Sequence, residues 1–220
     1  MKIKITNKND LRDLILNRIT THELDSKYDY SSITDMRYML SGCKSLEMIP
    51  LLDTSNVTNM SFMFEDCESL KTIPLLETSK VTNMEGMFSG CESIKEIPLL
   101  NTSNVTSMSF MFEWCNSLET IPSIDTSNVT NMSYMFSRCR SLEMFPLIDT
   151  SNVTSMNGMF YECESIKEIP LLDTSNATNM NFMFKGCNNL IDIDPYNFHL
   201  YDFSIIKNEQ FKEKYPELFI

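Results

Sequence analysis

A chain of 220 residues with 30 acidic and 18 basic side chains carries a net charge of −12, a balance that repels nucleic acid phosphates and anionic lipid and favours basic protein partners. No stretch approaches the ~18 apolar residues needed to cross a bilayer. The charge is concentrated: between Asp29 and Asp194 there are 22 acids against 9 bases.

Residues 1–28 read as an N-terminal cap. Met1 to Ile5 alternates Lys and Ile like a short strand, and Asn7 followed by Asp10 is a helix entry. Leu11, Leu14, Ile15 and Ile19 then form one apolar stripe at i, i+3, i+4 and i+8. The charges at Asp10, Arg12, Asp13 and Arg18 leave no signal-peptide core, so the expected location is cytoplasmic.

From Asp29 to Asp194 a 24-residue unit recurs without insertion or deletion, and a fixed period of this length means a solenoid. We expect about seven units, the first degenerate. Of the 17 Met, 14 occupy two fixed repeat positions, and all 7 Cys occupy one. Within the second unit Met60, Met63, Phe64 and Cys67 lie at i, i+3, i+4 and i+7, the spacing of a two-turn helix. The residue before the first Met is Asp, Asn or Ser in every unit, a helix N-cap type. Ser69 to Pro74, with Leu70 and Ile73 aliphatic, reads as a short strand closed by Pro. Asp-Thr-Ser-Asn then makes the turn. Of Leu51 and Leu52, Ser123 at the first slot argues that the second points inward. The expected fold class is therefore α/β: a leucine-rich-repeat-like solenoid with a short parallel strand and a short helix per unit.

Residues 195–220 leave the pattern and are the most aromatic part, with Tyr196, Phe198, Tyr201, Phe203, Phe211, Tyr215 and Phe219. We read them as a C-terminal cap covering Met183, Phe184 and Leu190, with a helix within 204–215.

The motif Asp-Thr-Ser-Asn-Val-Thr-Asn-Met-Ser-x-Met-Phe-x-x-Cys-x-Ser-Leu, carried by residues 29–194, resembles the BspA-like leucine-rich repeats, in the variant called lipoprotein-associated repeats. The resemblance implies binding to proteins or host surfaces. It also supplies the alternative to a cytoplasmic scaffold: a bacterial cell-surface adhesion or antigen module whose export signal is missing from the sequence.

Catalytic material is scarce. His22 and His199 both lie outside the repeats, and no HExxH, GxSxG or GxxxxGK occurs. The seven cysteines are an odd number in one inward slot and are expected to be buried free thiols rather than a disulfide framework. No metal, cofactor or enzymatic role is expected. Asn-x-Ser/Thr sequons at Asn56, Asn104, Asn128, Asn152 and Asn176 read first as turn residues. The expected function is non-enzymatic binding of a protein partner, a basic one being favoured by the acidic surface. The two slots before each Cys vary most, and Trp114, Arg138 and Tyr161 on consecutive units are the candidate contact residues. A second candidate row is Lys71, Lys95, Glu119, Glu143 and Lys167.

Overall fold

The computed structural model describes residues 1–193, 198 and 209–219. Its centre is a solenoid: parallel bridges run from Asp35 to Asn59, Asn83, Ser107, Asn131, Ser155 and Asn179, each 24 residues after the last.

The expected helix over Met60–Cys67 is absent, and so are its counterparts in the other coils. Its apolar residues are all buried, as a helical stripe would be, but the backbone runs differently. Phe62 (φ 55°) and Asp66 (φ 52°) are left-handed, each the third residue of a turn closed by Met63 N–H to Met60 O and by Cys67 N–H to Phe64 O. The alternate amides of Met60, Phe62, Phe64 and Asp66 donate sideways to Asn83, Glu85, Met87 and Ser89 in the next coil. The reason is spatial. Stacked Phe64, Phe88 and Phe112 rings are 5.5 and 5.8 Å apart, one per coil, whereas a helix with its side chains is about 10 Å across. Helices cannot stack on every rung at that spacing, but turns bonded to both neighbours can. The supposed N-cap residue keeps its chemistry in a new setting: Asn59 Oδ1 accepts from Ser61 N–H at 2.9 Å, two residues on.

The strand expected over Ser69–Pro74 is also absent as a continuous ladder. Lys71 N–H donates to Glu47 O and Ser69 N–H to Lys44 O. Beyond Pro74, no backbone–backbone bond joins residues 75–77 to the neighbouring coils. Leu70, Ile73 and Leu76 point inward every third residue, a period that a two-residue pleat does not have. Leu52 is buried and Leu51 is not, the orientation that Ser123 suggested.

Polar side chains tie the coils together where the backbone does not. Buried Thr54 donates to Glu77 O at 2.8 Å, and Thr78, Thr102, Thr126 and Thr150 repeat the bond. Asn104 Nδ2 reaches back to Ser79 O, and the sequon residues Asn56, Asn128, Asn152 and Asn176 do the same one coil apart. Each interior Cys thiol donates to the backbone of the preceding coil, Cys67 to Leu40 O and Cys91 to Phe64 O. All seven cysteines are free and buried.

At the N-terminus β1 (Ile3–Lys4) pairs in parallel with β2 (Tyr28–Asp29), and α1 (Lys8–Leu16) buries Leu11 and Ile15. A second helix, α2 (Thr21–Lys27), follows on a capping box between Thr20 and Glu23. That Thr-x-x-Glu signature is present in the sequence, and Arg18, at φ 60°, ends α1 before the Ile19 that its apolar stripe includes. At the other end α3 (Glu209–Lys214) buries Phe211, a 3-10 turn spans Pro216–Phe219, and Tyr215 donates to Ile193 O at 2.6 Å. Phe198 stands edge-on to Phe184. Tyr196, His199, Tyr201, Phe203 and residues 204–208 of the expected helix lie outside the described residues.

Candidate functional site

The three candidate contact residues are brought together. Trp114 and Arg138 occupy the slot before Cys in adjacent coils, and the Arg138 guanidinium lies 4.1 Å from the centre of the Trp114 ring and 5.3 Å from that of Tyr161. Cation–π attraction over two rings holds the side chain flat against the surface. Arg138 Nε also meets Glu162 Oε2 at 2.9 Å, and Arg140 bridges Glu162 and Glu164. The Arg138 hydrogen bond, opposed by partial burial, holds the Glu162 carboxyl below its ordinary pKa. Burial pushes Glu113 the other way, against the pull of Arg138.

The sequence reading overlooked a neighbouring column, the position two residues after the first Met of each coil. It reads Tyr38, Phe62, Gly86, Phe110, Tyr134, Gly158 and Phe182, and every member has φ between 55° and 59°. Such a φ is rare for a bulky residue. Tyr38 stacks on Phe62 at 5.0 Å and Phe110 on Tyr134 at 5.5 Å. Each pair ends at a glycine because the second ring lies where a Cβ would be: a methyl on Gly86 would come within 2.2 Å of Phe62, and one on Gly158 within 2.4 Å of Tyr134. The pattern aromatic, aromatic, glycine was the available signal. The two columns merge in a shallow depression lined by Glu113, Tyr134, Ser137, Arg138, Tyr161, Phe182 and Lys185, with the Lys185 ammonium 5.5 Å from the Phe182 ring.

The second candidate row is paired internally and stays exposed. Lys71 meets Glu47, Lys95 meets Glu119 and Lys167 meets Glu143, at 2.7, 2.8 and 3.1 Å. Among the described residues no three His, Cys, Asp or Glu side chains are gathered to hold a metal ion, and no helix is long and apolar enough to cross a membrane. Burial pushes the Cys67 and Cys163 thiols up to about 12, far from a nucleophile's range.

The family model described as "Mycoplasma protein of unknown function, DUF285" matches this chain three times, over residues 9–117, 70–147 and 93–196. The chain belongs to the DUF285 family. The overlapping matches of one DUF285 model reflect the internal repeat. No curated protein matches the chain. Among solved structures, a leucine-rich repeat protein from Eubacterium ventriosum is 21% identical with a TM-score of 0.47, over 68% of this chain and 40% of that one. The T. pallidum leucine-rich repeat protein TpLRR is 19% identical with a TM-score of 0.47, over 78% of this DUF285 chain and 81% of its own.

Proposed function

We propose that this DUF285 array is a non-enzymatic, BspA-like scaffold that binds a protein partner through the aromatic column and the adjoining Trp114, Arg138 and Tyr161. The observation that carries the reading is the presence of five aromatic residues at the left-handed slot of that column, with Trp114 a sixth beside it. Placing a bulky side chain there costs about 1 kcal/mol or more relative to glycine, and Gly86 and Gly158 show that the coil accommodates glycine at the same slot. A side chain retained against its backbone preference, on the surface, has a use outside the core. Aromatic and Arg side chains are the types that dominate binding energy at protein interfaces.

The repeat also tells which variants are clean. Gly42, Gly90 and Gly186 fill the slot of Trp114 and Arg138 in other coils, so Trp114→Gly with Arg138→Gly removes the contacts without straining the turn. Capture of a partner from lysate by the variant, compared with the parent chain, falls while the thermal midpoint stays within a few degrees, a shift of about 1 kcal/mol or less. Equal capture by both would reject the patch as the binding surface.

A further inference from the structure

A second surface, on the opposite side of the Pro-containing stretch, is unused by the function proposed above. The slot after Pro reads Leu51, Leu75, Leu99, Ser123, Leu147 and Leu171, and the five leucines are between 48% and 73% exposed. Met48 and Met144 stand beside them, 68% and 69% exposed. Single exposed apolar residues need no explanation, but a contiguous row does. Six rungs at ~4.8 Å extend it over about 24 Å, close to the ~28 Å across a standard interface patch of ~800 Å² per partner.

The row and the charged column beside it fit a second copy of the same chain laid antiparallel. A two-fold axis between the coils of Leu99 and Ser123 sets Leu51 against Leu171 of the second copy, Leu75 against Leu147, and Leu99 against Ser123. The missing side chain at Ser123 is where space is needed: a depression there is lined by Leu75, Leu99, Ser123 and Ile124 among others, and the Leu99 side chain of the second copy enters it. The same axis governs the column four residues earlier. Glu47 faces Lys167, Lys71 faces Glu143, and Lys95 faces Glu119, so every pair is of opposite charge. A parallel arrangement folds the charged column onto the column of Asp53, Glu77, Asn101, Asp125, Asp149 and Asp173, where Glu47, Glu119 and Glu143 meet carboxylates and only Lys71 and Lys167 gain opposite charges. In the antiparallel arrangement the three attractive pairs outnumber the two repulsive ones of the acidic column, Asp53 with Asp173 and Glu77 with Asp149, which lie at the solvated rim.

We propose that the chain forms an antiparallel, two-fold symmetric homodimer through the leucine row and its flanking Glu/Lys column. Isologous contact of this kind is the commonest route to a closed oligomer. The proposal is independent of the aromatic surface, which stays open in the dimer.

Sedimentation equilibrium of the full chain over a concentration series tests it. The parent chain is expected at twice its 25.5 kDa mass. Leu99→Glu, at an exposed site, raises the dimer dissociation constant by about tenfold or more. Lys71→Glu does the same by opposing Glu143 of the second copy. The deciding variant is Lys71→Glu with Glu143→Lys. It leaves both intramolecular pairs broken, since position 71 then repels Glu47 and position 143 repels Lys167, yet it restores the intermolecular pair, and dimerisation returns. A parent chain monomeric throughout the series, or a double variant no better than the single one, overturns the proposal.

Discussion

The thiol of Cys91 donates to the carbonyl oxygen of Phe64, 3.2 Å away in the preceding coil, and that oxygen also accepts from the Cys67 amide at 3.1 Å. Every interior Cys repeats the arrangement. The slot therefore asks for a small side chain that is apolar enough to bury and can donate one weak bond. Cys43 differs: the coil before it is missing, and its thiol reaches only Ser41 O at 4.0 Å.

This difference predicts an order of reactivity. The thiolate is the nucleophile, and burial raises all six interior thiols well above their ordinary value. Cys43, closer to the surface, is raised less. Alkylation of the native chain at pH 8, read by mass spectrometry, should modify Cys43 first and the other six only after unfolding. Modification of Cys115 at the rate of Cys43 would contradict the packing.

Arg12 and Lys8 show how the array is stopped. At the alternate positions of Asn83, Glu85, Met87 and Ser89 each coil's carbonyls accept from the coil before, so the matching carbonyls of Arg37, Met39 and Ser41 in the first coil have no such donor. Lys8 Nζ donates to Arg37 O, and the two Arg12 nitrogens donate to Met39 O and Ser41 O. Spaced i and i+4, the two cations lie on one face of α1. Arg12→Met keeps the aliphatic packing and leaves two acceptors to water; a loss of about 1–3 kcal/mol in denaturant unfolding is expected. A neutral result would show that α1 acts by covering apolar surface alone.

The period, the register and the buried residues were legible because stacking identical coils fixes all three. Met60, Met63, Phe64 and Cys67 were assigned to the core correctly and to a helix wrongly, since two successive turns place them inward with the same spacing. What separates turn from helix is the left-handed pair Phe62 and Asp66. Its signal, Gly86 and Gly90 in the same slots one coil on, is visible only when copies are read against each other. Trp114, Arg138 and Tyr161 were picked by their variation and do meet in space. Ser123 already marked the first leucine of each pair as the outward one, and the structure adds how far that whole row stands out.

The glycines in the aromatic column are steric. Gly86→Ala meets both a left-handed backbone (φ 56°) and the Phe62 ring, whereas Gly42→Ala meets a similar backbone (φ 73°) and nothing within 4 Å. The second should cost about 1 kcal/mol and the first distinctly more. Combining Gly86→Ala with Phe62→Gly should bring the cost back to that of Gly42→Ala. Thermal unfolding of the three variants measures this, and equal losses for the two single changes would mean that the ring moves aside freely.

Acid should weaken the array through its turns. Asp125 Oδ1 accepts from Ser127 Oγ at 2.7 Å and from Ser127 N–H at 3.0 Å, and those two bonds hold its pKa below the ordinary 3.8. Asp53, Asp149 and Asp173 are lowered in the same way. A carboxylate depressed by folding contributes stability that is present above its unfolded pKa and is lost as pH falls through the folded value. The thermal midpoint should therefore hold from pH 7 to about 4 and decline below that. Asn101 fills the same slot and accepts the same pair of bonds from Ser103, at 2.7 and 3.2 Å, with no titratable group. Replacing all four aspartates by asparagine should thus preserve the turns, relieve the repulsion of Asp149 by Asp125 and Asp173, and flatten the profile below pH 4. An unchanged acid decline in that variant would place the sensitive groups elsewhere, in the Lys71 pair of Glu47 and the Thr20 capping bonds of Glu23.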